Sequence, residues 1–404
     1  MRRCAVKDDG TVKYISSWDY TKYEDGNTVD YTGGDGQIMV EIPEYYYEAY
    51  EETVDGVVHK ILKLYPYAQI GQKSKKFYCG AFEGITDDAS SNTPKLYSIS
   101  TLTGGTKDGN GNYLAANWTY TTNATDYRGS GGTNDNGIKS NWSRPRTSLS
   151  ITDFRTRATN RGTGWSQQYF TAYNSILRLY TVEYCNFNSQ TAFNSTLTAA
   201  GYHQGGLGAG VTNADGSVWN SFNSYNPFIP CGVTKELGSN TGVIGVTYAS
   251  GEFTSSAYTT HVPSYRGIEN PFGHIWKWTD GYTKYGEGST ATVYTCDDIT
   301  KFSDSVTNQN VPDGYSMKGT HTIGEGNFGD WYWNSDGTFV HKTFGTGPFS
   351  DYAYHNNTGT RALSSGGGAN SGAKAGLFYW YANPDPSLVS ANFGGRLYYT
   401  PSES

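Results

Sequence analysis

Helical spacing of apolar residues is confined to one stretch of the chain, residues 150–184. Ser150 offers a helix N-cap there, and the apolar residues that follow recur every three or four positions. Elsewhere the apolar runs are short and often alternate with other residues, as in residues 37–47, which is typical of strands. We therefore predict an α+β fold with mostly short antiparallel strands, long ordered loops and two helices, at about 150–161 and 167–184. The helical spacing is carried by Ile151, Phe154, Ala158, Phe170, Tyr173, Ile176, Leu177, Tyr180 and Tyr184.

The large apolar residues of this chain are unusually often aromatic. The chain has 35 Tyr, 17 Phe and 10 Trp but only 3 Met, together with 51 Gly. Tyr and Trp bury a ring while keeping a polar group at the surface, and Gly permits tight turns. Evolved binding surfaces combine stiff aromatic side chains with small polar ones in the same way. A plain β-rich surface protein would share this composition, so composition leaves both interpretations open.

Charge and hydropathy argue against several classes of function. The formal net charge is −7 and no long basic run occurs, so we expect no nucleic-acid partner. No apolar run approaches the roughly 20 residues of a membrane span, so we expect no membrane insertion. Residues 1–9 lack the apolar segment of a signal peptide, which predicts synthesis in a cytoplasm without classical export.

The cysteines are widely separated and form no Cys-x-x-Cys pair, which argues against a zinc ribbon or a thioredoxin-like site. We expect free thiols, no metal site and no cofactor. The five are Cys4, Cys79, Cys185, Cys231 and Cys296.

Two other segments are more distinctive. Residues 265–281 read Tyr-Arg-Gly-Ile-Glu-Asn-Pro-Phe-Gly-His-Ile-Trp-Lys-Trp-Thr-Asp-Gly, and Trp276 and Trp278 lie two positions apart, hence on one face of a strand. Residues 360–379 contain Arg-Ala-Leu, Gly-Gly and Ala-Gly-Leu-Phe, and residues 393–397 read Phe-Gly-Gly-Arg-Leu.

The tryptophan segment resembles the Gly-Asn-Val-Trp-Glu-Trp strand of formylglycine-generating-enzyme-type, C-type-lectin-like folds. The C-terminal segments are similar to the variable region of phage and bacterial proteins that diversity-generating retroelements mutate. In those proteins a fixed frame alternates with freely varying positions. The resemblance covers most of the chain and leaves about 86–145 and 187–260 as divergent loops.

The resemblance implies an organisation in three parts. Residues 1–35 would be an N-terminal attachment or extension segment, and residues 36–404 a C-type-lectin-like domain with insertions at about 86–145 and 187–260. The variable binding region would span about 361–397. The implied ligand-binding positions are Gly368, Asn370, Ser371, Lys374, Trp380, Tyr381, Asn383, Asp385, Leu388, Val389 and Ser390, with Trp380 and Tyr381 as anchors. The implied structural frame is Trp276, Trp278, Arg361, Gly376, Phe378, Gly394 and Arg396.

The function that the resemblance implies is a phage or prophage receptor-binding protein, an adhesin in the virion tail or fibre. Its partners would be a host cell-surface protein or glycan and other tail proteins. A homo-oligomer, with a trimer favoured, would multiply weak contacts into avidity. Formylglycine-generating enzymes use a reactive cysteine pair late in the fold. Since the last cysteine here is Cys296, that oxidative activity is not carried over, and we expect no enzyme.

Three alternatives stay open at this point: a tail-associated glycan hydrolase, a lectin of fixed specificity and a structural virion decoration. A hydrolase would need two neighbouring carboxylates, for which the sequence offers Asp280, Asp330, Asp336 and Asp351. The calcium motifs of true C-type lectins, Glu-Pro-Asn and Gln-Pro-Asp, do not occur. His274, His321, His341 and His355 are scattered along the chain, and we expect each to be a hydrogen-bonded structural residue.

Overall fold

The computed structural model of the chain describes residues 1–67, 70–88, 91–120, 144–193, 225, 227–251, 256–345, 351–356 and 358–402. Strands make up 42% of the described residues and helices 11%. The α+β class predicted from the sequence is therefore wrong, because the protein is mostly β. The prediction gave the two helical patterns too much weight. The helices that they form, Ile151–Thr159 and Phe170–Tyr184, are short.

The strands are short and numerous. In chain order they are β1 (Arg2–Val6), β2 (Val12–Tyr14), β3 (Gln37–Ile42), β4 (Tyr45–Val54), β5 (Val57–Tyr65), β6 (Gln72–Ser74), β7 (Phe77–Gly80), β8 (Ile85–Thr86), β9 (Leu96–Tyr97), β10 (Leu102–Gly104), β11 (Tyr113–Leu114), β12 (Thr119–Tyr120), β13 (Trp165–Gln167), β14 (Gly242–Tyr248), β15 (Tyr258–Tyr265), β16 (Ile268–Glu269), β17 (Trp276–Glu287), β18 (Thr290–Thr295), β19 (Ser316–Thr322), β20 (Gly324–Trp333), β21 (Phe339–Phe344), β22 (Tyr352–His355), β23 (Gly359–Gly366), β24 (Gly376–Tyr381), β25 (Phe393–Gly394) and β26 (Leu397–Tyr399).

Both helices lie close to where the apolar spacing predicts them. Helix α1 (Ile151–Thr159) begins with a capping box, in which Ser150 and Asp153 bond each other's backbone N–H groups. Helix α2 (Phe170–Tyr184) begins three residues later than predicted, because 165–167 form β13 and pair with β26. It ends at Cys185, whose backbone is left-handed with a φ of 48°. Short 3-10 turns lie at Ala115–Asn117, Ser189–Ala192, Lys235–Leu237 and Gly372–Lys374.

A six-stranded sheet joins the two ends of the described chain. Its strand order is β13-β26-β7-β3-β1-β2. Strand β1 pairs antiparallel with β3, and β26 pairs with β7 on the far side of β3. The sheet thus crosses the domain boundary that the sequence places at residue 35. The attachment role of residues 1–35 stays a prediction.

A nine-stranded sheet carries the C-terminal half. Its order is β19-β18-β17-β23-β24-β22-β20-β21, with β25 added parallel to the start of β17. The sheet curls, so that its two edge strands, β19 and β21, line one shared cavity. Four smaller sheets complete the described structure: β11-β14-β15-β16, β5-β4-β6, β10-β12 and β8-β9.

The main core lies around α2. Its buried face packs among aromatic residues of the nine-stranded sheet, as in the contact of Phe170 with Tyr282 at 4.9 Å between ring centroids. A separate cluster behind α1 contains Trp276 and Trp278 together, which confirms that the two rings share one face of β17. Among the described residues, no helix has the length and apolar character needed to cross a membrane.

Candidate functional site

Strands β22 and β24 are parallel neighbours, and their register decides which aromatic residues of the C-terminal region share a face of the sheet. Ala353 lies opposite Trp380, and Tyr354 lies opposite Tyr381. Because side chains alternate between the two faces of a strand, Tyr352 and Tyr354 share one face with Tyr379 and Tyr381. Trp380 points to the other face.

The four tyrosines form one continuous aromatic surface, which we call the tyrosine face (Tyr352, Tyr354, Tyr379 and Tyr381). Ring centroids lie 5.8 Å apart for Tyr352 and Tyr379 and 5.3 Å apart for Tyr354 and Tyr381. The ring of Trp276 packs behind, 4.7 Å from Tyr379 and 5.0 Å from Tyr381. Tyr379 is buried and the other three are partly exposed. Backed by a tryptophan on a long strand, these rings are held rigidly.

Charged groups flank the tyrosine face on two sides. Glu325 of β20 is exposed and lies opposite Tyr354 in the antiparallel ladder. On the other side, the exposed Lys374 places its Nζ 4.0 Å from the ring centroid of Tyr352, a cation–π contact. Burial, with a further contribution from Glu325, raises the pKa of Tyr352, so its hydroxyl stays protonated at neutral pH.

The hydroxyl groups of the tyrosine face are free to bind. Within the part of the chain that the structure describes, none of the four donates or accepts a hydrogen bond. Buried tyrosines elsewhere do have partners: the Tyr248 hydroxyl donates to the carbonyl of Phe228 at 2.6 Å. A rigid aromatic surface with unbonded hydroxyls can contact an apolar surface and hydrogen bond to polar groups of the same ligand.

Most of the ligand-binding positions predicted from the sequence are accessible. Four are exposed and five are partly exposed. The exposed ones are Asn370, Lys374, Asp385 and Val389, and the partly exposed ones are Ser371, Tyr381, Asn383, Leu388 and Ser390. Tyr381 belongs to the tyrosine face, Lys374 contacts it, and Leu388 packs against the same aromatic cluster. Asp385 and Val389 instead line an open groove of about 590 Å³ beside Arg361, Asp153 and Asp304.

Two predicted positions are buried and cannot contact a ligand on this surface. Trp380 is only 2% exposed, and its ring packs 5.3 Å from Phe170 and 5.4 Å from Phe339. The prediction of Trp380 as an anchor is therefore wrong, because the pleat of β24 turns it into the core. Gly368 is also buried, and its N–H donates to Ser371 Oγ at 3.0 Å, which closes the loop after β23.

Six of the seven predicted frame residues are buried. Trp278 donates from Nε1 to the carbonyl of Leu149 at 3.1 Å, and Arg396 donates to the carbonyls of Gly80 and Glu269 at 2.8 and 2.6 Å. Phe378 and Trp276 lie in core clusters. Arg361 differs, because it is partly exposed and lines the open groove.

The two frame glycines have no room for a side chain. A Cβ on Gly376 would lie 2.0 Å from Asp351 Oδ2, and one on Gly394 would lie 2.4 Å from the side chain of Ile275. Both positions therefore require glycine because of close packing.

Sequence reasoning named only Tyr381 of the tyrosine face and missed Tyr379, the other two tyrosines and their acidic neighbour. Tyr352, Tyr354 and Glu325 lie outside the segment with the variable-region resemblance. A signal was present, since the run Tyr352-Ala353-Tyr354-His355 alternates large and small residues as a strand does. What the sequence lacked was the pairing of this strand with β24.

The carboxylates considered for hydrolysis are engaged in structural contacts. Asp280 is buried and bonded by Arg155 through two contacts of 2.7 and 2.8 Å. Asp351 is buried and accepts from the backbone N–H of Phe378 at 2.8 Å. Asp330 and Asp336 pair with Lys60 and Lys318.

The histidines divide into two groups. His274 is structural, since its Nδ1 lies 2.6 Å from Glu83 Oε2 and its Nε2 accepts from the backbone N–H of Phe228 at 3.3 Å. His321, His341 and His355 are instead brought together, with ring centroids 4.5 to 6.1 Å apart. For His341 and His355 the expectation of a hydrogen-bonded structural histidine is wrong, because no ring nitrogen of either has a described partner.

The similarity of the chain to known proteins is weak. No protein-family model matches the chain, and no curated protein matches it. Among solved structures it is similar to the U1, I1 and M1 variants of Major Tropism Determinant, at 13%, 14% and 14% sequence identity and TM-scores of 0.24, 0.24 and 0.25. Each match covers 89% of this chain and 72% of the other.

Proposed function

We propose that this chain is a phage receptor-binding protein, a virion adhesin that binds a host cell-surface ligand through the tyrosine face and the loops beside it. The observation that supports this most strongly is the tyrosine face itself. Three of its four rings are partly exposed, its hydroxyls are unbonded among the described residues, and a buried tryptophan holds it from behind.

The chemistry of this surface suits recognition better than catalysis. Tyrosine contributes a large contact area at a small cost in side-chain entropy, and such residues dominate binding energy in compact interfaces. Glu325 and Lys374 add opposite charges on two sides of the rings, which can orient a ligand. A glycan hydrolase would need two free carboxylates facing one cleft, and the four aspartates considered for that role have structural partners.

The loops beside the face fit a role in varying specificity. Asn370, Lys374, Asp385 and Val389 are exposed, while the glycines and Arg396 of the predicted frame are packed. Substitutions at the exposed positions would alter ligand contacts at little cost in stability. We propose that these loops are the variable part of the surface, in a trimeric fibre tip whose avidity amplifies weak contacts.

The test is cell binding by paired double variants. The fluorescently labelled full chain is incubated with a panel of bacterial strains, and a strain that binds it is used for the comparison. Tyr354→Ala with Tyr381→Ala is expected to weaken binding at least tenfold, the loss of about 1.4 kcal/mol that hot-spot residues exceed. The matched control is Tyr50→Ala with Tyr67→Ala, which removes two exposed tyrosines elsewhere, 38% and 73% exposed, and should leave binding unchanged.

Circular dichroism and thermal unfolding establish that both double variants are folded before binding is compared. If both double variants bind as strongly as the parent chain, the tyrosine face is not the binding surface. Equal loss in both would show non-specific adhesion through tyrosine. If the protein releases reducing sugar from the same cells, and replacement of one aspartate abolishes that release, the protein is a hydrolase and the adhesin proposal is wrong.

A further inference from the structure

The inner face of the nine-stranded sheet holds a cavity with an unusual lining. Its volume is about 50 Å³, enough for an ion with one or two waters. It lies where edge strands β19 and β21 approach each other, and β22 and β24 form its wall. Aromatic rings line part of it, and polar side chains line it as well: Phe170, Tyr282, Phe339 and Trp380 among the aromatic residues, and Lys318, Thr320 and Thr338 among the polar ones.

Three imidazoles also line the cavity. His321 comes from β19, His341 from β21 and His355 from β22, and the last two are 4% and 1% exposed. Both ring nitrogens of His341, both of His355 and Nε2 of His321 are buried without a hydrogen-bond partner among the described residues. The backbone of Thr343 lies near His341 but does not complete a hydrogen bond of good geometry.

Several unpaired buried nitrogens close together destabilise the folded protein unless a ligand binds them. Each buried polar group without a partner costs about 1–3 kcal/mol, and native structures contain few of them. Phe at these positions would stack equally well, as the neighbouring Phe328 and Phe344 do. Three imidazoles converging in one cavity therefore indicate a ligand that the nitrogens bind.

We propose that His321, His341 and His355 form a binding site for one divalent transition-metal ion, of the Zn²⁺, Co²⁺, Ni²⁺ or Cu²⁺ class. Neutral imidazole is the ligand that this class of ion prefers, and three histidines with an open fourth position are a common arrangement. The ion would join β19 to β21 across the gap between the edges of the sheet and would fix β22, whose outer surface carries Tyr352 and Tyr354.

The spacing of the rings fits such an ion. With a Zn–N distance of about 2.0 Å, three imidazoles in tetrahedral arrangement have ring centroids roughly 5 Å apart. The centroid distances are 4.5 Å for His321 and His355, 5.8 Å for His341 and His355 and 6.1 Å for His321 and His341. Within the described ranges, no three His, Cys, Asp or Glu side chains are already arranged to hold a metal ion. Rotation about χ2, which is soft for histidine, would have to aim the nitrogens at one point.

The surrounding charges permit the site. Lys284 faces the same cluster, and burial with the charge of Arg361 lowers its pKa to about 7. Asp330 lies near enough to His341 to influence its pKa, and it also pairs with Lys60.

Cobalt titration of the untagged full chain, freed of metal with a chelator, is the first test. We expect one Co²⁺ per chain, with the visible absorption of a tetrahedral nitrogen site and a rise in the thermal unfolding midpoint. His321→Gln, the least buried of the three, should weaken Co²⁺ binding at least tenfold. The matched control is His59→Gln with His261→Gln, both exposed, which should bind as the parent chain does.

The location of the ion is tested independently of any variant. Anomalous diffraction from Co²⁺-loaded crystals of the parent chain should give a peak between the three rings. A peak elsewhere, no binding up to millimolar Co²⁺, or equal binding by the His321→Gln and control proteins would overturn the proposal. If His321→Gln fails to fold, the anomalous peak alone decides.

Discussion

The two faces of strands β22 and β24 differ in solvent exposure and in side-chain packing. On the outer face, Tyr352, Tyr354 and Tyr381 are partly exposed, and their hydroxyls have no hydrogen-bond partner within the described ranges. On the inner face, the neighbouring residues Trp380 and His355 are 2% and 1% exposed and line a cavity. Consecutive aromatic residues thus lie on the outer face and in the core in turn. The lesson is that composition identifies an aromatic-rich segment, while the pleat of the strand assigns each ring its role.

The largest expected effect is on the inner face. Trp380→Ala should destabilise the protein by about 3–5 kcal/mol, because it removes a ring packed against Phe170, Tyr282 and Phe339. Urea unfolding followed by tryptophan fluorescence and circular dichroism measures this. Trp380→Phe, which retains a ring, should lose less. A loss below about 1 kcal/mol for the alanine variant would mean that Trp380 is not core and that the two faces are wrongly assigned.

The same division of faces extends to β17, where it predicts a dependence on pH. Trp276 backs the tyrosine face, while the next residue, Lys277, is 1% exposed and pairs with Glu83 at 2.8 Å. Burial alone would raise the pKa of Glu83, but the charges of Lys277 and His274 outweigh it and lower that pKa to about 2 from 4.5. Between those values the unfolded chain binds more protons than the native one, so stability falls as the pH falls.

The expected slope from Glu83 is about 1.4 kcal/mol per pH unit at its steepest, between about pH 4.5 and 2. Urea midpoints measured at several pH values give the slope for the parent chain. The variant Glu83→Gln with Lys277→Met removes both charges and should show a shallower slope over this range. Identical slopes for the two proteins would show that Glu83 is not held ionised in the native state.

The smallest expected effect lies at the edge of the outer face. Lys374→Gln should change the free energy of unfolding by no more than about 0.5 kcal/mol, since an exposed cation–π contact contributes little. Its effect on cell binding should exceed its effect on stability. Thermal unfolding and cell binding of one preparation provide the comparison. A strongly destabilised variant would place Lys374 in the frame instead of the variable loops.

Local patterns were enough to find much of the fold. The three-to-four spacing of apolar residues located both helices, and α2 begins late only because β13 pairs with the distant β26. Alternation placed Trp276 and Trp278 on one face, and both lie in one cluster. The fold class was wrong because strands of two to twelve residues, spread over the chain, outweigh two well-marked helices.

The candidate site was less predictable. The sequence indicated the loop positions around Lys374 and Asp385, which are exposed, but it also made Trp380 an anchor. Alternation within β24 is visible in the sequence, whereas the choice of which alternate residues face solvent is not. That choice depends on pairing with β22 and on packing against α2, both of which involve residues far away in the chain.

The sequence by itself determined where the chain turns, which segments are helical and that an aromatic-rich C-terminal region has close-packed glycines. Only the tertiary structure decided that Tyr352 and Tyr354 complete the surface begun by Tyr379 and Tyr381, and that His321, His341 and His355 meet in one cavity. The physical reason is that turns and periodicity are set by neighbours along the chain. A face or a cavity is set by strand register and by the curl of a sheet, which bring distant residues together.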